Sequence, residues 1–224
     1  MRQRLLTALG AALLLGACAQ AVPANGAVAA PAATTVAQEG PGLKTAIFAG
    51  GCFWGIEAVF SHVRGVTSAV SGYHGGTRAS ATYDEVSAGR TRHAEVVRVT
   101  YDPSVVRYDQ LLQVFFAVGT DPTELDRQGP DVGAQYRNAL VPLNREQGRI
   151  AEAYLAQLRA SGLWRRPIVT AIEPYRAFHP AEEYHQDFAR KNPNHGYIRA
   201  WDRPKVEALQ RMFPGLRKAA FTVG

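Results

Sequence analysis

The strongest constraint on this chain is a junction near residue 50. Lys44-Thr45-Ala46-Ile47-Phe48-Ala49 is a short apolar run of strand length, and Gly50-Gly51 ends it. After Cys52, apolar residues recur at Phe53, Ile56, Phe60 and Val63, spaced by three and four, which is one face of a helix. Cys52 therefore sits where a strand turns through two glycines into a helix N-terminus. Free backbone N–H groups and the positive end of the helix dipole converge there. Such surroundings lower a thiol pKa and favour the nucleophilic thiolate. The glycines, Gly51 among them, let a substrate approach the backbone closely. The plain alternative for Cys52 is a small buried hydrophobe.

The remaining pattern reads as strand (66–72), strand (94–101), helix (108–118), strand (135–141), helix (145–160) and strand (167–173). Asn144 with Gln147 looks like a cap for the 145–160 helix. The later stretch is loop-rich, with short helices near 181–191 and 205–212. This mixed order predicts an α+β two-layer sandwich around a mixed β-sheet, with a loop-rich C-terminal segment.

The N-terminus reads as an address. Met1 to Arg4 is short and positive, and Leu5 to Ala17 is apolar and small, the n-region and h-region of a secretory signal over residues 1–17. Leu15-Gly16-Ala17-Cys18 resembles a bacterial lipoprotein cleavage box, in which Cys18 receives lipid and becomes the first mature residue. The alternative is ordinary signal cleavage with Cys18 a bystander. Ala19 in place of Asp favours the outer membrane, giving a lipid-anchored, periplasm-facing protein of the bacterial envelope. Residues 18–42 are rich in Ala, Pro, Thr, Val and Gly and read as a flexible tether, which as a coil would span roughly 25 to 30 Å. The domain proper then runs over 43–213, with a tail at 214–224. The formal net charge is +6, but no run of five or more like charges occurs, so no nucleic-acid partner is expected. No apolar stretch approaches the ~18 to 20 residues of a membrane span. There are two cysteines, Cys18 and Cys52. If Cys18 carries lipid, Cys52 is a lone thiol with no internal disulfide partner.

Beyond the junction, further blocks follow in order. Gly51-Cys52-Phe53-Trp54-Gly55 is followed by Gly72-Tyr73-His74-Gly75-Gly76, Thr82-Tyr83-Asp84-Glu85-Val86, His93-Ala94-Glu95 and Tyr101-Asp102-Pro103. Gly133-Ala134-Gln135-Tyr136-Arg137, Tyr184-His185-Gln186 and Lys191-Asn192-Pro193 complete the set. Together these resemble the A-type peptide methionine-sulfoxide reductases across roughly residues 44–200. The resemblance implies a ferredoxin-like core, a monomer, no cofactor, and reduction of methionine S-sulfoxide in oxidised proteins or peptides. It assigns Cys52 as nucleophile and Glu95 as general acid. Read without the resemblance, Glu95 is more often a surface strand carboxylate. Tyr83 and Tyr136 match the family's hydrogen-bond donors to the sulfoxide oxygen, and Asp131 matches an acid that helps set the site. Taken singly, either Tyr is an ordinary amphipathic rim residue. Phe53 and Trp54 resemble the family's methyl-binding pair, although Phe53 also fits the core face of its helix.

Two departures stand out. Ser87 occupies a familiar location of a second cysteine, and the C-terminal tail has none, so the Cys52 sulfenic acid needs an external thiol such as a thioredoxin-like protein or a dithiol. Arg92 replaces the Gly usual before His-Ala-Glu. His179, Glu182, Glu183 and His185 cluster in sequence but lack an HExxH spacing, so no metal is expected. The rival functions are a thiol peroxidase, which would lack the aromatic pair and the His-Ala-Glu block, and a non-catalytic binder of oxidised envelope proteins.

Overall fold

The structure is a computed structural model that describes residues 27–224. The signal reading over 1–17, the lipidation of Cys18 and the first part of the tether lie outside the described residues.

The elements in order are β1 (Lys44–Gly50), α1 (Phe53–Ser61), β2 (Val66–His74), α2 (Tyr83–Ser87), β3 (Ala94–Tyr101) and α3 (Tyr108–Val114). Then come β4 (Arg127–Gln128), β5 (Asp131–Val132), β6 (Asn138–Val141), α4 (Arg145–Ala160), β7 (Ala171–Ile172), β8 (Phe178–Pro180), α5 (Phe188–Lys191) and α6 (Arg203–Met212). The main sheet has the order β7-β6-β1-β3-β2-β8. β1 pairs antiparallel with β3 and β6, β2 pairs antiparallel with β3 and β8, and only β6–β7 is parallel. Its inner strands, β6-β1-β3-β2, with α1 joining β1 to β2 and α3 lying between β3 and β6, form the split βαβ pattern of a ferredoxin-like core.

From Ala46 to Ala49 β1 is continuously apolar because both faces of the sheet are covered there. Phe48 joins Val97, Val99, Phe60, Leu111, Phe115 and their neighbours in the large core under the helices. Ile47 and Ala49 point the other way, where Ala94, Val96, Ala139 and Val141 make a thinner layer covered by Phe178 and Leu143. α4 follows its sequence period: Ile150, Ala151, Tyr154, Leu155 and Leu158 are buried, and Asn144 Oδ1 accepts the Gln147 N–H at 2.9 Å.

Several boundaries move. The 108–118 helix is α-helical only to Val114 and ends in a π-helical turn, Phe115–Gly119. The strand expected from 135 starts at Asn138, because Ala134–Tyr136 forms a 3-10 turn. The strand expected over 167–173 is reduced to Ala171–Ile172, and α2 and β8 were not foreseen.

The larger correction concerns residues 27–42, read as a free tether. Ala27, Val28, Ala30 and Ala37 are buried against the domain. Their backbone is held from outside the segment. Tyr154 Oη donates to Pro31 O at 2.7 Å, Gln157 Nε2 donates to Ala32 O at 2.8 Å, and Asp109 Oδ1 accepts the Ala37 N–H at 3.0 Å. Glu39 accepts from Tyr101 Oη and from the Tyr108 N–H at the start of α3. A segment that cannot order itself becomes a strap because the helices beneath it supply its partners. The tail is tied down as well, with Lys218 N–H donating to His62 O at 2.8 Å and Thr222 N–H to Ser61 O at 2.9 Å.

Candidate active site

Cys52 is the N-cap of α1, as the Gly-Gly junction predicts. The next residue turns its N–H away from the thiol: Phe53 N–H donates to Glu95 Oε2 at 3.0 Å. One helix start therefore positions both groups. Glu95 reaches it from β3, where it faces Tyr73 in register, with only 2% of its surface exposed. Burial pushes the Glu95 carboxyl up to about 8, against the pull of the Phe53 N–H, with the charge of Asp131 pushing the same way as burial. A carboxyl in that range carries its proton at neutral pH.

Tyr83, from the start of α2, and Tyr136, from the 3-10 turn, both have Glu95 and Cys52 among the groups that perturb them. Burial is the main cause in each case, and it holds both phenols in the protonated, hydrogen-bond-donating form. Asp131 accepts a 2.5 Å hydrogen bond from Tyr197 Oη. The structure thus draws Cys52, Glu95, Tyr83, Tyr136 and Asp131 together from α1, β3, α2, the 134–136 turn and β5.

Cys52 is 8% exposed, and it lines a cleft of about 420 Å³ whose other walls include Gln128, Gly129, Pro130, Tyr197, Trp201 and Lys205. The thiol is nevertheless not the ionised group expected at a helix start. Burial, then Glu95 and Asp202, push it well above its usual range, and the Trp54 N–H only partly opposes them. Desolvation and nearby carboxyls outweigh the helix N-terminus.

Three residues expected to bind substrate sit as follows. Gly51 has φ +92°, and the side chain of Gln128, rather than open space, lies against its Cα. Gln128 is fixed there by Glu124 Oε2 at 2.6 Å, by the Asp121 N–H at 2.8 Å and by Thr120 Oγ1. Gly51 is thus required by the chain's own packing. Phe53 is 1% exposed, wedged between Tyr73 and His185, so its core face prevails. Trp54 stacks on Phe188 at 3.8 Å and donates from Nε1 to His185 Nδ1 at 3.1 Å. Like Glu95, Tyr83 and Tyr136, the two aromatics lie beside Cys52 outside the lining of the cleft.

The His/Glu cluster near 179–185 serves as scaffold. Glu182 accepts from Tyr73 Oη and from the Tyr83 N–H, both at 2.9 Å. Among the described residues no trio of His, Cys, Asp or Glu is placed to hold a metal ion.

The family profile described as "Peptide methionine sulfoxide reductase" matches residues 44–215. A curated relative from Mesorhizobium japonicum, "Peptide methionine sulfoxide reductase MsrA 2", is 54% identical over 79% of this chain and 90% of its own length. The chain belongs to the peptide methionine sulfoxide reductase family. A Deinococcus radiodurans member is 49% identical over 79% of this chain and 85% of its own. Among solved structures, methionine sulfoxide reductase A of Corynebacterium diphtheriae matches with a TM-score of 0.58, at 38% identity over 69% of this chain and 77% of that one. Mxr1 of Saccharomyces cerevisiae in reduced form also scores 0.58, at 32% identity over 72% and 92%.

Within this reductase, sequence reading missed Tyr197, Asp202 and Gln128, which contact the Cys52 neighbourhood from more than 70 residues downstream, and no local pattern around them signals a role. Ser87 ends α2, and its carbonyl accepts from Gln135 Nε2 at 3.2 Å. Arg92 is exposed, and its carbonyl accepts from Arg137 Nη2 at 3.3 Å. Among the described residues Cys52 is the only cysteine, and it is free.

Proposed function

We infer that this reductase returns methionine S-sulfoxide in oxidised proteins to methionine through the Cys52 sulfur. The observation that carries the reading is the shared start of α1, where the buried, proton-holding carboxyl of Glu95 accepts the N–H of the residue after Cys52. The Cys52 sulfur attacks the sulfoxide sulfur and forms an S–S bond; the protonated oxygen then passes to Cys52 as the S–O and S–S bonds break, leaving the sulfenic acid on Cys52 and releasing the thioether. The proton that enters that product balances the one lost by the thiol. Glu95 supplies a proton to the departing oxygen and recovers it, so its contribution is catalytic. Tyr83 and Tyr136 donate hydrogen bonds where negative charge grows on oxygen.

Cys52 then meets a thiol from outside. The sulfenic acid condenses with that thiol, releasing water and leaving a mixed disulfide. A second thiol breaks the disulfide and restores Cys52. A thioredoxin-like protein or a small dithiol fits this step, because the only other cysteine, Cys18, is read as the lipid carrier. The n-region, the apolar h-region and the Leu15-Gly16-Ala17-Cys18 box support a lipid-anchored protein facing the periplasm, with Ala19 favouring the outer membrane.

The test offers S- and R-sulfoxide peptides separately with a dithiol. The S form alone should turn over, and Cys52→Ser should abolish the activity. Equal turnover of both epimers, or retained activity in Cys52→Ser, would sink the reading. Expression in a lipoprotein-competent host tests the address: unmodified, soluble mature protein would remove it.

A further inference from the structure

Asp202 is a group that the sulfoxide chemistry leaves without a task. It ends the π-helical turn Ile198–Asp202 that leads into α6, it has no exposed surface, and neither carboxyl oxygen has a hydrogen-bond partner. A carboxylate in that condition is costly unless it is neutral or answered by charge. What it faces is the first turn of α1. A Cβ built on Gly55 would clash with Asp202 Oδ1 and would lie 3.1 Å from Lys205 Nζ. Gly55 is three residues after Cys52, in the turn whose backbone N–H groups have no carbonyl partner within the helix. Cys52 approaches the same turn from the cleft, with the Trp54 N–H directed to its sulfur.

Two anions therefore address one positive helix end from two sides. We propose that Asp202 is a positioning residue for the nucleophile: its proton decides whether the start of α1 is free to hold the Cys52 thiolate. With Asp202 ionised, the helix end is already answered and a thiolate beside it is disfavoured. With Asp202 neutral, the thiolate has that end to itself. Lys205, in the first turn of α6 and in the cleft wall, tunes the competition by favouring the Asp202 charge.

The electrostatics agree in direction. Burial raises the Asp202 carboxyl to about 7, with Lys205 lowering it and Asp131 raising it. Asp202 in turn raises the Cys52 thiol, after burial and Glu95. The other ionisable groups around this pair are Asp131 and Tyr197 on the cleft side, and Tyr83 and Tyr136 on the Glu95 side. None of these supplies a cation, so Lys205 is the positive side chain of the group.

The proposal rests on Cys52 being the nucleophile, and its test is kept separate from turnover. The reduced full-length protein is alkylated with iodoacetamide across a pH series, and the Cys52 peptide is followed by mass spectrometry. In Asp202→Asn the midpoint should fall by at least about half a unit, which is roughly threefold faster labelling at a pH below both midpoints. In Lys205→Gln, which leaves Asp202 protonated to higher pH, it should fall as well. An unmoved midpoint in Asp202→Asn overturns the proposal. So does faster labelling at every pH, plateau included, with an unmoved midpoint, because that reports a loosened cleft. If Asp202→Asn does not fold, Lys205→Gln decides alone, and an unmoved or raised midpoint there overturns it. Loss of activity in Cys52→Ser bears on the nucleophile reading and leaves this result untouched.

Discussion

The free protein stores two protons where the reaction needs them, one on the Cys52 thiol and one on the Glu95 carboxyl. Both are retained for the same reason, removal from water. The sign of the pH dependence follows. Glu95 acts as an acid, so the form that works is present below its raised value and is lost as pH rises through about 8. Turnover limited by oxygen departure should therefore fall on the alkaline side of about 8. Glu95→Gln keeps the shape and can still accept no proton to give, so kcat should drop by roughly 10²- to 10⁴-fold, the usual worth of a positioned acid. The alkaline limb should vanish with it. A variant that keeps the limb would assign that proton to another group. Cys52 was legible in the sequence because it stands at a punctuated helix start, whereas Glu95 read as an ordinary strand carboxylate until the family resemblance gave it a role. The ionisation state of Cys52 was not legible. It is set by burial and then by Glu95, Asp202 and Asp131, whose distance in sequence hides their nearness in space.

At the scale of elements, α1 is the part on which the site depends, and Gly55 is the position where its packing is least forgiving. An alanine inside a helix is ordinarily better than glycine by about 1 kcal/mol. Here the added methyl meets the Asp202 carboxyl, which is itself enclosed between α1 and α6. Overpacking of a filled interior costs roughly 1–3 kcal/mol, which exceeds the helix gain. Gly55→Ala should therefore lower the urea midpoint, by the equivalent of about 1–2 kcal/mol, and a variant as stable as its parent would mean that α6 yields easily. Elements such as α4 were readable to their ends because period and cap are both local: Ile150, Tyr154 and Leu158 repeat on one face, and Asn144 caps its own helix. The strap over 27–42 was not readable, since its order comes from Gln157, Tyr154 and Asp109, outside the segment. β7 and β8 were blurred for a related reason. Two- and three-residue strands have no period of their own and exist only as additions to the edges of a sheet.

For the whole molecule, the decisive feature is that catalysis and its reversal must pass through one sulfur in turn. The described residues bring no second thiol to Cys52, and a cleft walled by Trp201, Pro130 and Gln128 opens at that sulfur. One sulfur cannot react with oxidised substrate and external thiol at once, so the cycle is obliged to alternate. Without any thiol donor, the protein should release one methionine per chain and stop. The sulfenic acid left on Cys52 should be captured by dimedone, and no intramolecular disulfide should form within residues 27–224. Adding a dithiol should restart turnover, with a rate that rises with dithiol concentration until the oxygen-transfer step limits it. Release of two methionines per chain before the stop, measured in a single rapid-quench experiment, would require a second reducing group within the chain and would overturn the single-sulfur account.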